Sequence, residues 1–183
     1  MGDVITDANR DLSFCVEWSF FLRKESACSL DKPYMGQIGR LGDDERYAFR
    51  KDSMVMVWVN GCFDVLHRGH FEMLKYAKSI GDHLIVGIDS DNKVRRDKGA
   101  NRPFNSQEDR KFALESIRYV DKVVIFHSKG ELESCVKSVL PTYLVVGSDW
   151  RGKEVVGEGY TQKVCFFDRI GDYSTTKILE GIK

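Results

Sequence analysis

The stretch M-V-M-V-W-V-N-G-C-F-D-V-L-H-R-G-H, Met54 to His70, decides how the chain is read. Val55, Val57 and Val59 lie in an almost wholly apolar run, the mark of a strand buried on both faces of a parallel sheet. A polar turn follows. A helix-like segment over about 69–79 then places Phe71, Leu74, Ala77 and Lys78 at turn spacing. Strand, turn and helix in this order make the first half of a βαβ unit.

The pattern repeats downstream. His83–Ile88 reads as a second strand, and a polar, basic loop is expected from Asp89 to Asn105. Ser106 opens a helix whose first turn carries Glu108 and Asp109, as the helix dipole favours. Lys122–Phe126 is a third strand, Glu131–Val139 a short helix, Tyr143–Gly147 a fourth strand and Lys163–Phe167 a fifth. A last helix is expected from Ser174 to near Lys183. Such alternation predicts an α/β domain over 54–183, a Rossmann-like, doubly wound parallel five-stranded sheet with helices on both faces. Ligands in such sheets collect beyond the carboxyl ends of the strands, where strand order reverses, so chemistry is sought just after strands one, two and four. Residues 1–53 lack a clean period and mix Trp18, Phe20 and Phe21 with a polar tail, and are expected to be an irregular extension outside catalysis.

Composition narrows the function classes. The chain has 183 residues, 28 Lys+Arg against 28 Asp+Glu and a net charge of zero, which argues against coating nucleic acid by bulk electrostatics. No apolar run approaches the roughly 18 residues of a membrane-spanning helix. Five cysteines, odd in number and without a C-x-x-C pair, suit reduced thiols rather than a disulfide scaffold or zinc knuckle. Asp3, Asp7 and Asp11 stand where a signal peptide would be basic and then apolar. A cytoplasmic location is therefore expected.

Two of the four histidines, His67 and His70, fall at the first strand-to-helix junction. Three residues apart, their imidazoles would share one face of a helical turn. Gly69 removes a side chain where a phosphate would need to approach the backbone. The helix start adds free N–H groups and partial positive charge, so the arrangement suits a phosphate whose charge rises as it is attacked.

The H-x-G-H tetrad behind an apolar strand and a G-x-F-D turn resembles the nucleotidylyltransferase superfamily. More narrowly it resembles the glycerol-3-phosphate cytidylyltransferases and the adenylyltransferase domains of ADP-heptose synthases, over about residues 54–183. The resemblance implies that His67 and His70 contact the triphosphate and stabilise the pentavalent α-phosphorus. Gly61, Cys62, Phe63, Asp64 and Gly69 would belong to the nucleotide site. Asp64 would order the turn and lie near a metal, whereas the Cys62 thiol is read as packing. Class I aminoacyl-tRNA synthetases share a similar tetrad, but no K-M-S-K-S loop is present.

Two further segments extend the resemblance. K-G-A-N-R-P, Lys98 to Pro103, is similar to the heptose-phosphate adenylyltransferase loop. Lys98 would clamp two mutually repelling phosphates as a catalytic cation, with Arg102 on the acceptor. Arg110 and Arg118 lie eight apart, nearly on one helix face. Arg118, in I-R-Y-V-D, is equally well read as an acceptor ligand or as an arginine packed at a helix end or dimer contact.

G-S-D-W-R-G-K, Gly147 to Lys153, is similar to a cytidylyltransferase loop in which Asp149 would take the base or ribose and Trp150 would wall the pocket. R-I-G-D-Y-S-T-T, Arg169 to Thr176, matches the family's arginine and hydroxyls but not its central acid and glycine. Ser174, Thr175 and Thr176 at a helix start offer donors to the β- and γ-phosphates.

The activity implied is direct nucleotidylyl transfer from a nucleoside triphosphate to a small phosphorylated acceptor, with Mg²⁺, release of pyrophosphate and no protein nucleophile. I-R-Y-V-D, D-W-x-G-K and Arg169 lean weakly to CTP and glycerol 3-phosphate. N-G-C-F-D and K-G-x-x-R-P lean to ATP and a heptose 1-phosphate. A non-catalytic nucleotide-binding module is the rival from another class. Relatives by resemblance also suggest a homodimer.

Overall fold

The structure is a computed structural model that describes residues 54–171 and 173–181. The expectations for residues 1–53 lie outside the described residues.

β1, Met56–Gly61, is buried on both faces over its first four residues because it runs through the middle of the sheet. The other strands are β2, His83–Asp89; β3, Lys122–Phe126; β4, Tyr143–Gly147; and β5, Lys163–Phe167. They pair in the order β3-β2-β1-β4-β5, all parallel. The sheet is thus an α/β, Rossmann-like one, as its alternating pattern predicts. After β1 the chain adds β2 and β3 on one side, then returns to add β4 and β5 on the other. The reversal falls between β1 and β4, whose strands end in Gly61 and Gly147.

Alternation along β1 divides the core. Val57 and Val59 meet Leu74 and Ala77 of α1, Arg68–Ser79, and Leu114 of α3, Gln107–Glu115, in one apolar cluster. Met56 and Trp58 face the other way and are also buried. The indole needs the room that Gly87 leaves on β2, since a Cβ there would sit 2.6 Å from Trp58 Cζ2. Asp121, just before β3, takes the Leu84 amide at 2.6 Å and Lys78 Nζ at 2.6 Å, stapling the start of β2 to the end of α1.

The sequence expectation fails in one stretch. Half of the loop expected over 89–105 is a helix, α2, Asp91–Lys98. Its signals are present in the chain: Ser90 caps the amide of Lys93, Asp91 opens the first turn, and Arg95, Arg96 and Lys98 close the last before Gly99 at φ 97°. Only Val94 among its residues is buried, so no apolar stripe announces it. α4, Lys129–Val139, starts two residues earlier than expected because its cap is Ser128. The last helix, α5, covers Thr175–Glu180.

Candidate active site

β1, β4 and β5 end at the rim of a cleft of about 370 Å³ at the switch point. His67, Gly69 and His70 line it from the start of α1, and Ser174, Thr175 and Thr176 from the start of α5. Lys98 and Arg102 come in from the α2 side, and Asp149, Trp150 and Arg169 from the loops after β4 and β5. Two helix starts far apart in the chain are therefore neighbours, and a hydrogen bond from Thr175 Oγ1 to the Val65 carbonyl, 3.2 Å, ties them together.

The imidazoles converge, though not on one helical face. His67 is the extended N-cap of α1, φ −143°, and His70 lies in the first turn. Their rings stack with centroids 3.8 Å apart and planes 19° apart. Gly69 lines the cleft and also makes room for the ring: a Cβ at 69 would press on His67 Cε1 and Nδ1 at 3.2 Å. Burial lowers the proton affinity of His67, and burial together with the His67 and Lys98 charges lowers that of His70 to about 4. Both rings are neutral at pH 7, each with one N–H to donate. Both Nδ1 atoms are buried without a hydrogen-bond partner.

The helix starts carry a second signal. Ser90, Ser106 and Ser128 each cap their helix through the side chain. α1 has no side-chain cap and no acidic residue in its first turn. The His70 amide bonds the His67 carbonyl at 2.9 Å, which leaves the amides of Arg68 and Gly69 without a side-chain cap, the donors an anion site uses.

Other expected site residues are placed differently. Asp64 does not line the cleft. It is buried, with its carboxylate accepting from Arg102 Nε at 2.6 Å and from the amides of Phe104 and Asn105 at 2.8 and 3.0 Å. Both carboxylate oxygens are engaged within its own loop, so it orders the turn and stands apart from the residues that line the cleft. Arg118 falls beyond the end of α3, stacked on Tyr119 at 4.8 Å and away from the cleft. The early end of α3 at Glu115 is why Arg110 and Arg118 do not share a face. Gly61, Cys62 and Phe63 do line the cleft. Burial pushes the Cys62 thiol up, away from nucleophilic thiolate.

Asn60, Met73, Phe167, Ile170 and Tyr173 also line the cleft. Phe167 ends β5, a strand outside the three singled out by the switch-point rule, and Tyr173 directly precedes the Ser-Thr-Thr run. The cleft is thus two-sided. Lys98 and Arg102 make one wall cationic, and Trp150, Phe167, Ile170 and Tyr173 make the other largely apolar.

A parallel sheet with an open helix start and paired imidazoles at its switch point defines a nucleotidyltransferase. The Cytidylyltransferase-like family matches residues 58–180, and the chain belongs to it. Among individual proteins it is similar to the bifunctional protein HldE of Campylobacter fetus, 44% identical over 140 residues, 76% of this chain and 30% of that protein. HldE of Helicobacter pylori is 43% identical over 132 residues, 72% of this chain and 28% of that protein. The chain therefore spans less than a third of the length of these relatives. A solved structure of a lipopolysaccharide core biosynthesis protein from Thermoplasma volcanium is also similar, with TM-score 0.53 and 28% identity over 67% of this chain and 100% of that one.

Proposed function

We propose that the domain is an ATP-dependent adenylyltransferase acting on a sugar 1-phosphate. The observation that carries the phosphoryl chemistry is the uncapped start of α1 beneath two stacked, neutral imidazoles. An acceptor phosphate oxygen forms a bond to the α-phosphorus, the bond to pyrophosphate breaks, and the electron pair leaves on the pyrophosphate. No proton must be removed, because the attacking oxygen is already anionic. His67 and His70 donate to phosphoryl oxygens whose charge grows in flight, while Lys98 and Arg102 draw the acceptor phosphate toward a second anion.

No group of three or more His, Cys, Asp or Glu side chains among the described residues is placed to hold a metal. With Asp64 bonded within its own loop, the described residues supply no cluster of protein donors that would hold Mg²⁺ without substrate. A magnesium ion would enter as part of the triphosphate substrate, held by phosphate oxygens.

Adenylyl transfer is favoured over cytidylyl transfer by the similarity to HldE proteins and by N-G-C-F-D and K-G-x-x-R-P. Pyrophosphate release is the test, with ATP and CTP each offered heptose 1-phosphate and glycerol 3-phosphate. Turnover is expected with ATP and the sugar phosphate, and His70→Ala is expected to lower kcat by about 10²- to 10³-fold. Turnover only with CTP would reject the nucleotide assignment. Binding without turnover for any pair would make the domain a non-catalytic nucleotide binder.

A further inference from the structure

Two residues with side chains adopt left-handed backbone among the described residues, Phe63 at φ 49° and Leu140 at φ 47°. Leu140 is the C-cap of α4, where that conformation is common. Phe63 ends no helix, and a bulky residue stays left-handed only where its surroundings over-determine it.

The surroundings do so from both sides. The carbonyl before it, Cys62, accepts from Arg110 Nη1 at 2.7 Å. After it, Asp64 is fixed by Arg102, Phe104 and Asn105, and Asn105 Nδ2 also donates to the Asp64 carbonyl. Arg110 is itself buried, its Nε on the Asn105 carbonyl at 3.2 Å and its Nη2 on Asp91 at 2.7 Å. It reaches both halves of the clamp without lining the cleft. Between them the Phe63 ring lies 5.1 Å from His70, tilted 55°.

We propose that Arg110 is a positioning residue: by gripping the Cys62 carbonyl it locks Phe63 in its left-handed turn and so fixes the ring against which His70 is aligned. The inference rests on the reading of His70 as a phosphoryl-contacting group. Nothing in the chain's period marks Arg110, which occupies a core-facing position one turn before Leu114.

Arg110→Lys tests it. Lysine keeps a cation beside Asp91 but cannot span three acceptors with one ammonium group. The variant is expected to melt cooperatively, with kcat lowered about 100-fold and KM for ATP changed less than about threefold, the split of a misaligned group rather than a lost binding contact. In nucleotide-free protein, the His70 ring resonances, which sense the Phe63 ring, are expected to move in NMR spectra. Unmoved His70 resonances, or wild-type kcat, would overturn the proposal. Should Arg110→Lys fail to fold, Asp91→Asn loosens the anchor of Arg110 Nη2 at 2.7 Å, and unmoved His70 resonances there would overturn it equally. Moved resonances in a protein whose wild type turns over no nucleotide would instead sink the enzymatic reading and leave the clamp standing.

Discussion

The two rims of the cleft are built to different standards. On the β1 rim, buried Asp64 and Arg110 and half-buried Arg102 and Asn105 form a web in which both Asp64 carboxylate oxygens accept hydrogen bonds. On the β4–β5 rim, Asp149 and Arg169 meet only at 3.8 Å, both exposed, and Arg151 and Asp168 pair at 3.1 Å in solvent. Trp150 is 42% exposed and Tyr173 44%. Phosphoryl transfer needs donors held to a fraction of an ångström, and the rigid rim holds them. Among the described residues, the aromatic rim is held by exposed side chains and by no comparable web.

The largest expected effect breaks the contrast outright. Asp64→Ala removes the buried carboxylate that holds the part-buried Arg102 guanidinium and two amides and should destabilise the domain by about 3 kcal/mol in urea unfolding. Arg169→Ala on the other rim should change stability by less than about 0.5 kcal/mol in the same measurement. Similar losses from both would mean the rims are equally rigid.

A smaller effect sharpens the contrast through pH. The His70 ring, ordinarily titrating near 6.5, is held neutral down to about 4 in the fold by burial and the His67 and Lys98 charges. A depressed histidine contributes stability that is complete above the unfolded value and is lost as pH falls from 6.5 toward 4. Between pH 7 and 4.5 the wild type should lose about 2–3 kcal/mol more than His70→Gln, measured by urea unfolding at both values. Equal losses would show that the imidazole is not desolvated. An arriving triphosphate opposes this shift, since its anionic charge favours the imidazolium.

The smallest effect probes the hydroxyl tie between the rims. Thr175→Val removes the hydroxyl that donates to the Val65 carbonyl. About 1 kcal/mol of docking for α5 should go with it, raising KM for ATP about fivefold while kcat changes less. An unchanged KM would detach α5 from nucleotide binding.

Much of the fold and the cleft is legible in the residues alone. β3, β4 and β5 fall at their expected limits because short apolar strands between polar turns have little freedom in placement. His67, His70, Lys98, Arg102, Asp149, Arg169 and the Ser174–Thr176 run do line one cleft. α2 escapes such a reading because a helix with one buried residue has no period to follow. Asp64 and Arg118 depart from their expected places for a different reason. A carboxylate or guanidinium in a motif looks the same whether it faces a ligand or its own loop, and only the partner set distinguishes them.

The order of residues along the chain settles the alternation of strands and helices, and with it a parallel sheet whose switch point gathers ligands, because periodicity and chain handedness are local matters. It also settles that two histidines and three hydroxyls sit at helix starts. Which two helix starts meet at the cleft, which acid is consumed by the scaffold and which arginine braces Phe63 are decided only when segments 38–110 residues apart come into contact. Hydrogen-bond satisfaction is a property of the assembled interior, and no stretch of sequence carries it alone.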